Sequence, residues 1–334
     1  MHVNFTNRPL DATILDTYQL CPRKAFYRYG LHWDTDAGQK PLDLVFGGAV
    51  HLALAYGYRS GWTDETVEQA IAVGQAAYDK VFSEYQNEAN SPKDRAGIRR
   101  LIEDYYACYR VELTNPDIEV LAVEVRFTMG GVIPEVMLCG RIDLVLWDKS
   151  NNQIILPEHK TAGQMPSAAT ILPWHLSNQA LMYCEAGSRW LAAMQIASEL
   201  PTDVTFGGVL INMLIPYRDL SKNSGLIRIP VLPTFDQMVL WKLDIMQLWN
   251  ALRLEEEQLD ADVIQPVQTS FPRRTRSCAS YNRLCPYFTL CSTKLNPIQE
   301  VTEHGFNAVP DGMVVKVWDP LDTSEDPNSV RWEL

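Results

Sequence analysis

Two carboxylates and an amine stand at spacings that suit phosphoryl chemistry. The stretch Cys139-Gly140-Arg141-Ile142-Asp143-Leu144-Val145-Leu146-Trp147 sets Arg141 and Asp143 in alternation with Leu138, Ile142, Leu144 and Leu146, and reads as a strand. In Gln153-Ile154-Ile155-Leu156-Pro157-Glu158-His159-Lys160-Thr161, the side chains of Ile154, Leu156, Glu158 and Lys160 share one face. Asn151-Asn152 lies between the two runs and predicts the turn of a hairpin. Such a hairpin brings Asp143 near Glu158 and Lys160. Paired carboxylates are hard oxygen ligands for Mg²⁺ or Mn²⁺. A metal held there activates a water and offsets the charge that builds on a phosphoryl oxygen. A lysine beside it orients or deprotonates that water, or stabilises the same charge. Taken alone, the same residues also fit a polar surface hairpin.

The elements that must position this hairpin follow from periodicity and punctuation. A short helix is expected from Asp11 to Leu20, and Pro22 suits the first turn of a second one. Arg23, Lys24 and Arg28 interleave there with Phe26, Tyr27 and Tyr29, the pattern of an amphipathic helix with solvated cations. Val45-Phe46-Gly47-Gly48-Ala49-Val50-His51 opens a further helix. His51 there reads either as a satisfied core histidine or as a ligand. Two amphipathic helices, Thr63–Tyr85 and Asp94–Leu113, flank a break at 87–93 around Pro92. Ile118–Thr128 reads as a strand before the hairpin. A helix is expected from about Pro173 to Leu200, where Gln179 and Tyr183 share a face at i, i+4. Thr205–Leu214 and Leu226–Pro230 are further strands, the latter at an edge. Thr234–Leu259 is a long helix ending in a solvated Glu255-Glu256-Glu257 run, and Asp260–Ser270 reads as a linker. The tail from Asn296 carries no chemical pattern.

Composition narrows the class. The 334 residues carry a net charge of −12, which argues against a general polyelectrolyte binder and leaves phosphate recognition to a metal and a few placed cations. No apolar run approaches the ~20 residues of a membrane span, and the first residues lack the pattern of a secretion signal, so a cytoplasmic protein without a membrane partner is expected. Of seven cysteines, Cys108, Cys139 and Cys184 lie singly among apolar residues and are expected in the core. Cys278, Cys285 and Cys291 crowd together behind the basic stretch Arg273-Arg274-Thr275-Arg276. In a reducing compartment such a cluster points to a metal site, with Cys21 as the fourth ligand.

Gly48-Ala49-Val50-His51, Gly140-Arg141-Ile142-Asp143, Glu158-His159-Lys160, Gln179 with Tyr183, and Cys21 with the late cysteine trio occur in a specific order over residues 21–291. In these pieces the chain resembles the RecB-like branch of the PD-(D/E)XK nuclease superfamily, among the members with an iron–sulfur cluster: AddB-type recombination nucleases and CRISPR-associated iron–sulfur exonucleases. The resemblance implies an α/β fold, with a small mixed central sheet flanked by helices in a restriction-endonuclease-like core. It implies an N-terminal segment and helical lobe (1–113), a nuclease core (114–260), a cysteine segment tied by the cluster (261–295) and a tail (296–334). His51, Asp143, Glu158 and the carbonyl of His159 would hold Mg²⁺ or Mn²⁺. Lys160 would be the catalytic lysine, and Gln179 and Tyr183 would position substrate and neighbouring groups. Because His51 must be neutral to bind metal, activity is expected to fall at acidic pH. Cys21, Cys278, Cys285 and Cys291 would hold a 4Fe–4S cluster in a structural role. The six residues between Cys278 and Cys285 depart from the usual two, which leaves zinc as the alternative occupant.

The implied activity is a metal-dependent DNA exonuclease of recombination, repair or replication. The alternatives are an inactive binding or docking subunit and an endonuclease of the same fold. The phosphate-binding pattern Gly-x4-Gly-Lys-Ser/Thr is absent, so any unwinding is expected from a partner such as a helicase.

Overall fold

The computed structural model describes residues 8–35, 41–82, 91–219, 221–280, 283–299, 309–322 and 330–334. In chain order its elements are α1 (Ala12–Leu20), α2 (Pro22–Ala25), a π-helical turn (Phe26–Gly30), β1 (Trp33–Thr35), α3 (Leu42–Ser60), α4 (Asp64–Phe82) and α5 (Arg95–Leu113). There follow β2 (Ile118–Met129), β3 (Leu138–Asp148), β4 (Gln153–Thr161), α6 (Ala168–Ile171), a 3-10 turn (Leu172–Leu176), α7 (Asn178–Ile196), β5 (Thr205–Ile215) and β6 (Gly225–Val231). The last are α8 (Phe235–Asp262), a 3-10 turn (Thr275–Ser277), β7 (Ala279–Ser280), β8 (Arg283–Leu284), α9 (Phe288–Thr293), β9 (Met313–Val315) and β10 (Arg331–Glu333). The end of the helix expected over Thr63–Tyr85, at 83–85, and most of the break after it, lie outside the described residues. The chain divides into two compact units: Met1–Gly38 with Thr128–Gly140 and Phe235–Asp322, and Gln39–Phe127 with Arg141–Thr234 and Thr323–Leu334.

The second unit is built on a mixed sheet with order β10-β2-β3-β4-β5-β6 among the described residues. The expected hairpin is present. β3 and β4 are antiparallel, with Leu146 opposite Ile155 and Asp148 opposite Gln153. At the turn, Asp148 accepts hydrogen bonds from Ser150 and Asn151, and Asn152 takes a left-handed conformation that asparagine tolerates. β4 and β5 run parallel, which requires the long crossover through α7. α7 lies close against the sheet because Gly187 has no side chain; a Cβ there would meet Phe206 and Leu156 at 2.5 and 2.7 Å.

The helices of this unit form its main core. On α3 the buried stripe Phe46, Ala49, Val50, Ala53, Leu54 recurs at helical spacing and meets Ile71 of α4 and Ile98, Leu101 and Ile102 of α5 in one cluster. Burying each large aliphatic or aromatic side chain contributes roughly 1.5–3 kcal/mol. His51 sits off this stripe and is partly exposed. A β-bulge shifts the β4–β5 register between Ile154 and Ile155, where Ile155 pairs with Gly208. Gly208 has φ +96°, and a Cβ there would lie 2.5 Å from the Val231 carbonyl oxygen.

In the first unit, Asp11 caps α1 by accepting the Ile14 N–H at 2.7 Å, and its second oxygen accepts the Trp318 indole N–H at 2.8 Å. Arg23 is buried. Its guanidinium donates to the carbonyls of Gln268, Ser270 and Phe271, and Phe26 stacks on Phe271. The expectation of uniformly solvated cations on this segment is therefore corrected, since the backbone carbonyls of 268–271 supply what water would. The stretch expected as a linker is also ordered. Asp262 and Ser270 are buried, and Asp262 accepts from the backbone and hydroxyl groups of Thr269 and Ser270. Glu255, expected in solvent, accepts the Phe271 N–H. Cys139 and Cys184 are buried as expected, whereas Cys108 is exposed on the outer face of α5. The tail contributes β9, paired with β1, and β10, at the edge of the large sheet.

The bulge yields a stability prediction. Gly208→Ala meets both a left-handed backbone and a carbonyl contact, and is expected to cost about 2 kcal/mol or more. Gly48→Ala, in a helix with open space around its Cβ, is expected to stabilise by roughly 0.5–1 kcal/mol. Urea unfolding of both variants measures the pair; a neutral Gly208→Ala contradicts the assigned bulge geometry.

Candidate functional site

The site lies in the second unit, where β3 and β4 run on past their paired turn-proximal residues. The Asp143 carboxylate, rather than a backbone carbonyl, accepts the His159 N–H at 2.7 Å. In an extended strand the N–H and C=O of one residue point to the same side, so the His159 carbonyl faces β3 as well. His51 reaches the other Asp143 oxygen from α3, with Nδ1 to Oδ1 at 3.3 Å. Glu158 and Lys160, two apart on β4, share a face, and the lysine Nζ bonds Glu158 Oε1 at 2.7 Å.

α7 completes the group. Ser177 caps it by accepting the Ala180 N–H, which sets Gln179 in the first turn. Gln179 Nε2 donates to Glu158 Oε1 at 2.8 Å and to the Tyr183 hydroxyl at 3.0 Å, and Tyr183 in turn donates to the Arg141 carbonyl. All six residues expected on this hairpin and helix are therefore brought together with His51. Behind them, the ring of His159 lies in a buried network. Its Nδ1 meets Asn212 Nδ2 at 3.1 Å, Asn212 donates to the Tyr105 hydroxyl, and Tyr105 bonds Tyr58 at 2.7 Å. Tyr58 also stacks on the imidazole.

One member of the site carried no motif in the sequence. Glu124 of β2 is buried, and one of its oxygens lies with a His51 nitrogen and an Asp143 oxygen in a trio whose atoms are all within 4.8 Å of one another. The signal was a charge inside the apolar run Ala122-Val123-Glu124-Val125, in a strand otherwise built for burial. Glu124 holds φ +56°, a left-handed conformation that costs a non-glycine residue on the order of 1–3 kcal/mol.

The electrostatics follow from crowding. Burial, and then the Asp143 charge, push the Glu158 carboxyl up to about 7, against the pull of Lys160. Burial also disfavours the charge of Asp143, but His51, with His159 and Lys160, outweighs it and holds that carboxyl below the usual range. For His51 and Lys160 burial is again the largest opposing effect. The neighbouring carboxylates prevail and raise both above their ordinary values. Burial pushes the His159 ring down to about 3, so it stays neutral. Glu158 Oε2 is buried without a hydrogen-bond partner among the described residues. Carboxylates, an imidazole and the His159 carbonyl on the β3 side, with one carboxylate oxygen unsatisfied among the described residues, form a donor set that fits a divalent cation such as Mg²⁺ or Mn²⁺.

The four cysteines expected to act together meet in the first unit. Cys21, Cys278, Cys285 and Cys291 line one cavity of about 130 Å³ with Lys24 and Arg273. The long spacing has a structural explanation. β7 and β8, which lie between Cys278 and Cys285, pair antiparallel with Ala279 opposite Leu284, and the Cys278 carbonyl accepts the Cys285 N–H at 2.8 Å. Among the described residues no three cysteine sulfurs approach within 4.8 Å of one another.

The family model of the PD-(D/E)XK nuclease superfamily matches residues 9–292, a span that contains every site residue named above. No curated protein matches the chain.

Crowding predicts a stability effect independent of activity. The folded Glu158 carboxyl binds its proton more tightly than an ordinary glutamate (4.5) does, so the folded state loses stability as pH rises from about 4.5 through 7. Glu158→Gln is expected to raise the melting midpoint of metal-free protein by the equivalent of ~1–3 kcal/mol near pH 8, and by little near pH 5. An equal shift at both pH values would show that crowding is not the cause.

Proposed function

The chain belongs to the PD-(D/E)XK nuclease superfamily, and from that premise we propose that it is a metal-dependent deoxyribonuclease, acting as an exonuclease on DNA ends in recombination, repair or replication. The observation that carries the reading is the convergence of two bonded pairs, His51 with Asp143 and Lys160 with Glu158, with the second Glu158 oxygen buried and without a hydrogen-bond partner among the described residues. His51, Asp143, Glu158 and the His159 carbonyl would hold Mg²⁺ or Mn²⁺. When bound, the cation supplies Lewis acidity toward a phosphoryl oxygen and toward a water.

The protein's own groups do the rest. Glu158 fixes the Lys160 ammonium at 2.7 Å, and the neighbouring carboxylates keep it protonated. Lys160 therefore serves as a donor to the attacking water or to the charge that develops on phosphorus-bound oxygen, in preference to serving as a base. Gln179 and Tyr183 hold Glu158 and the Arg141 backbone in register with the substrate. The buried Asn212–Tyr105–Tyr58 network fixes the neutral His159 ring and with it the backbone between Glu158 and Lys160. The exonuclease assignment, and membership of the RecB-like branch, are supported by the resemblance of His51, Gln179, Tyr183 and the four cysteines to iron–sulfur exonucleases. A helicase or another recombination or replication protein is the proposed source of unwound ends.

Cys21, Cys278, Cys285 and Cys291 are proposed to hold a 4Fe–4S cluster that ties residue 21 to the segment 278–291. The meeting of all four cysteines at one cavity supports a shared metal group, and the resemblance to iron–sulfur exonucleases favours the cluster.

Two experiments test these assignments. End-labelled linear DNA with Mg²⁺ or Mn²⁺ is expected to be degraded from its ends while circular DNA resists. Asp143→Ala, Glu158→Ala and Lys160→Ala are each expected to lower the rate by roughly a hundredfold or more. Nicking of circles shifts the assignment to an endonuclease, and binding without cleavage in either metal leaves a docking subunit. Anaerobically purified protein is expected to absorb broadly in the visible and to contain iron. Cys278→Ser and Cys291→Ser are expected to lose that absorbance together with protease resistance. Colourless protein with stoichiometric zinc would remove the cluster.

A further inference from the structure

We propose that Arg141 grips a DNA phosphate beside the candidate metal centre and that Glu124 is the positioning residue that aims it; this deepens the nuclease reading and rests on it. Arg141 and Asp143 are two apart on β3, so their side chains leave the same face of the strand about 7 Å apart at their Cα atoms. Asp143 is buried at the metal site, whereas the Arg141 side chain is 40 % exposed. The guanidinium thus reaches solvent on the strand face that carries the buried Asp143 carboxylate.

Its orientation is constrained from three directions. The strand fixes the face. Tyr183 donates to the Arg141 carbonyl and so holds the backbone. Glu124 Oε2 takes Nε at 3.1 Å. That contact engages the inner nitrogen of the guanidinium, and the planar fork of its terminal amino groups matches two phosphate oxygens. Glu124 reaches this position from a left-handed backbone in the middle of a strand, an arrangement that persists only where surrounding contacts over-determine it.

Charge points to a phosphate as the ligand. The protein carries −12 overall, and the site concentrates Glu124, Asp143 and Glu158. A polyanion needs local cations to approach it. Lys160 is already bonded to Glu158, and His51 to Asp143. Arg141 is the most exposed of the three, its side chain 40 % exposed against 28 % for Lys160 and 21 % for His51.

The test measures binding of a fluorescent single-stranded oligonucleotide with Ca²⁺ in place of the catalytic metal, over a series of KCl concentrations, alongside steady-state cleavage in Mg²⁺. For Arg141→Gln the slope of log Kd against log salt is expected to flatten by about 0.7, one phosphate contact's worth on a single strand, and KM is expected to rise more than kcat falls. Arg141→Lys restores the slope but not kcat, because a point charge lacks the fork. Glu124→Gln keeps the slope and lowers kcat. A wild-type slope in Arg141→Gln overturns the assignment even if its stability drops, since a merely structural arginine changes the melting midpoint and not the salt dependence. Should Arg141→Gln not fold, Arg141→Lys decides: wild-type kcat and KM overturn the fork, and a lowered kcat at unchanged slope supports it. Wild-type protein that neither binds nor cleaves DNA would overturn the nuclease reading itself, a result seen before any variant is made.

Discussion

Like charge forced into one small space is the constraint around which this molecule is arranged. Glu124, Asp143 and Glu158 are all buried, with Glu124 and Asp143 beside one another and Glu158 close enough to Asp143 for its charge to be felt. Each would repel the others if fully ionised. The fold accommodates them by giving each carboxylate a cation, with His51 against Asp143, Arg141 against Glu124 and Lys160 against Glu158. Glu158 still retains a proton up to about neutral pH and an oxygen without a partner. A site that is electrostatically unfinished in this way is suited to a divalent cation, which satisfies several carboxylates at once.

Holding such a site open requires a stiff frame. The hairpin supplies two strands whose turn-proximal ends pair and whose far ends carry the carboxylates. α7 crosses the sheet closely enough, at Gly187, to deliver Gln179 and Tyr183 onto the Glu158 and Arg141 side of that hairpin. The β4–β5 bulge and the Tyr58–Tyr105–Asn212–His159 network fix β4 from its other neighbours. None of these groups needs to touch substrate. Their effect is to keep the Asp143 and Glu158 carboxylates from relaxing apart under their mutual repulsion, with Lys160 held against Glu158, which is what preorganisation means here.

The first unit applies the same economy of local structure to sulfur. Four cysteines from the two ends of the unit's sequence line one cavity, and the pairing of β7 with β8 brings Cys285 back to within a hydrogen bond of Cys278. Long-range contacts reinforce the arrangement: Arg23 binds three carbonyls between 268 and 271, and Tyr287 donates to the Trp33 carbonyl. N- and C-terminal segments of this unit thus close on one another through contacts of the chain itself.

Much of this was legible in residue order. Strand alternation, the Asn151-Asn152 turn and the i, i+4 pair Gln179/Tyr183 are local properties, fixed by backbone geometry over a few residues, and the sheet, the hairpin and most of the site could be read from them. The burial of Arg23, the packing of 260–270 and the exposure of Cys108 could not, because each depends on what distant segments bring alongside. Glu124 is the clearest case. Its carboxylate enters the site through a left-handed kink in β2 and an ion pair with a neighbouring strand. Sequence alone named the chemistry, through residues that lie near each other in the chain. Tertiary structure decided which charges share a cleft, because Coulomb repulsion and burial act through space and follow no spacing along the backbone.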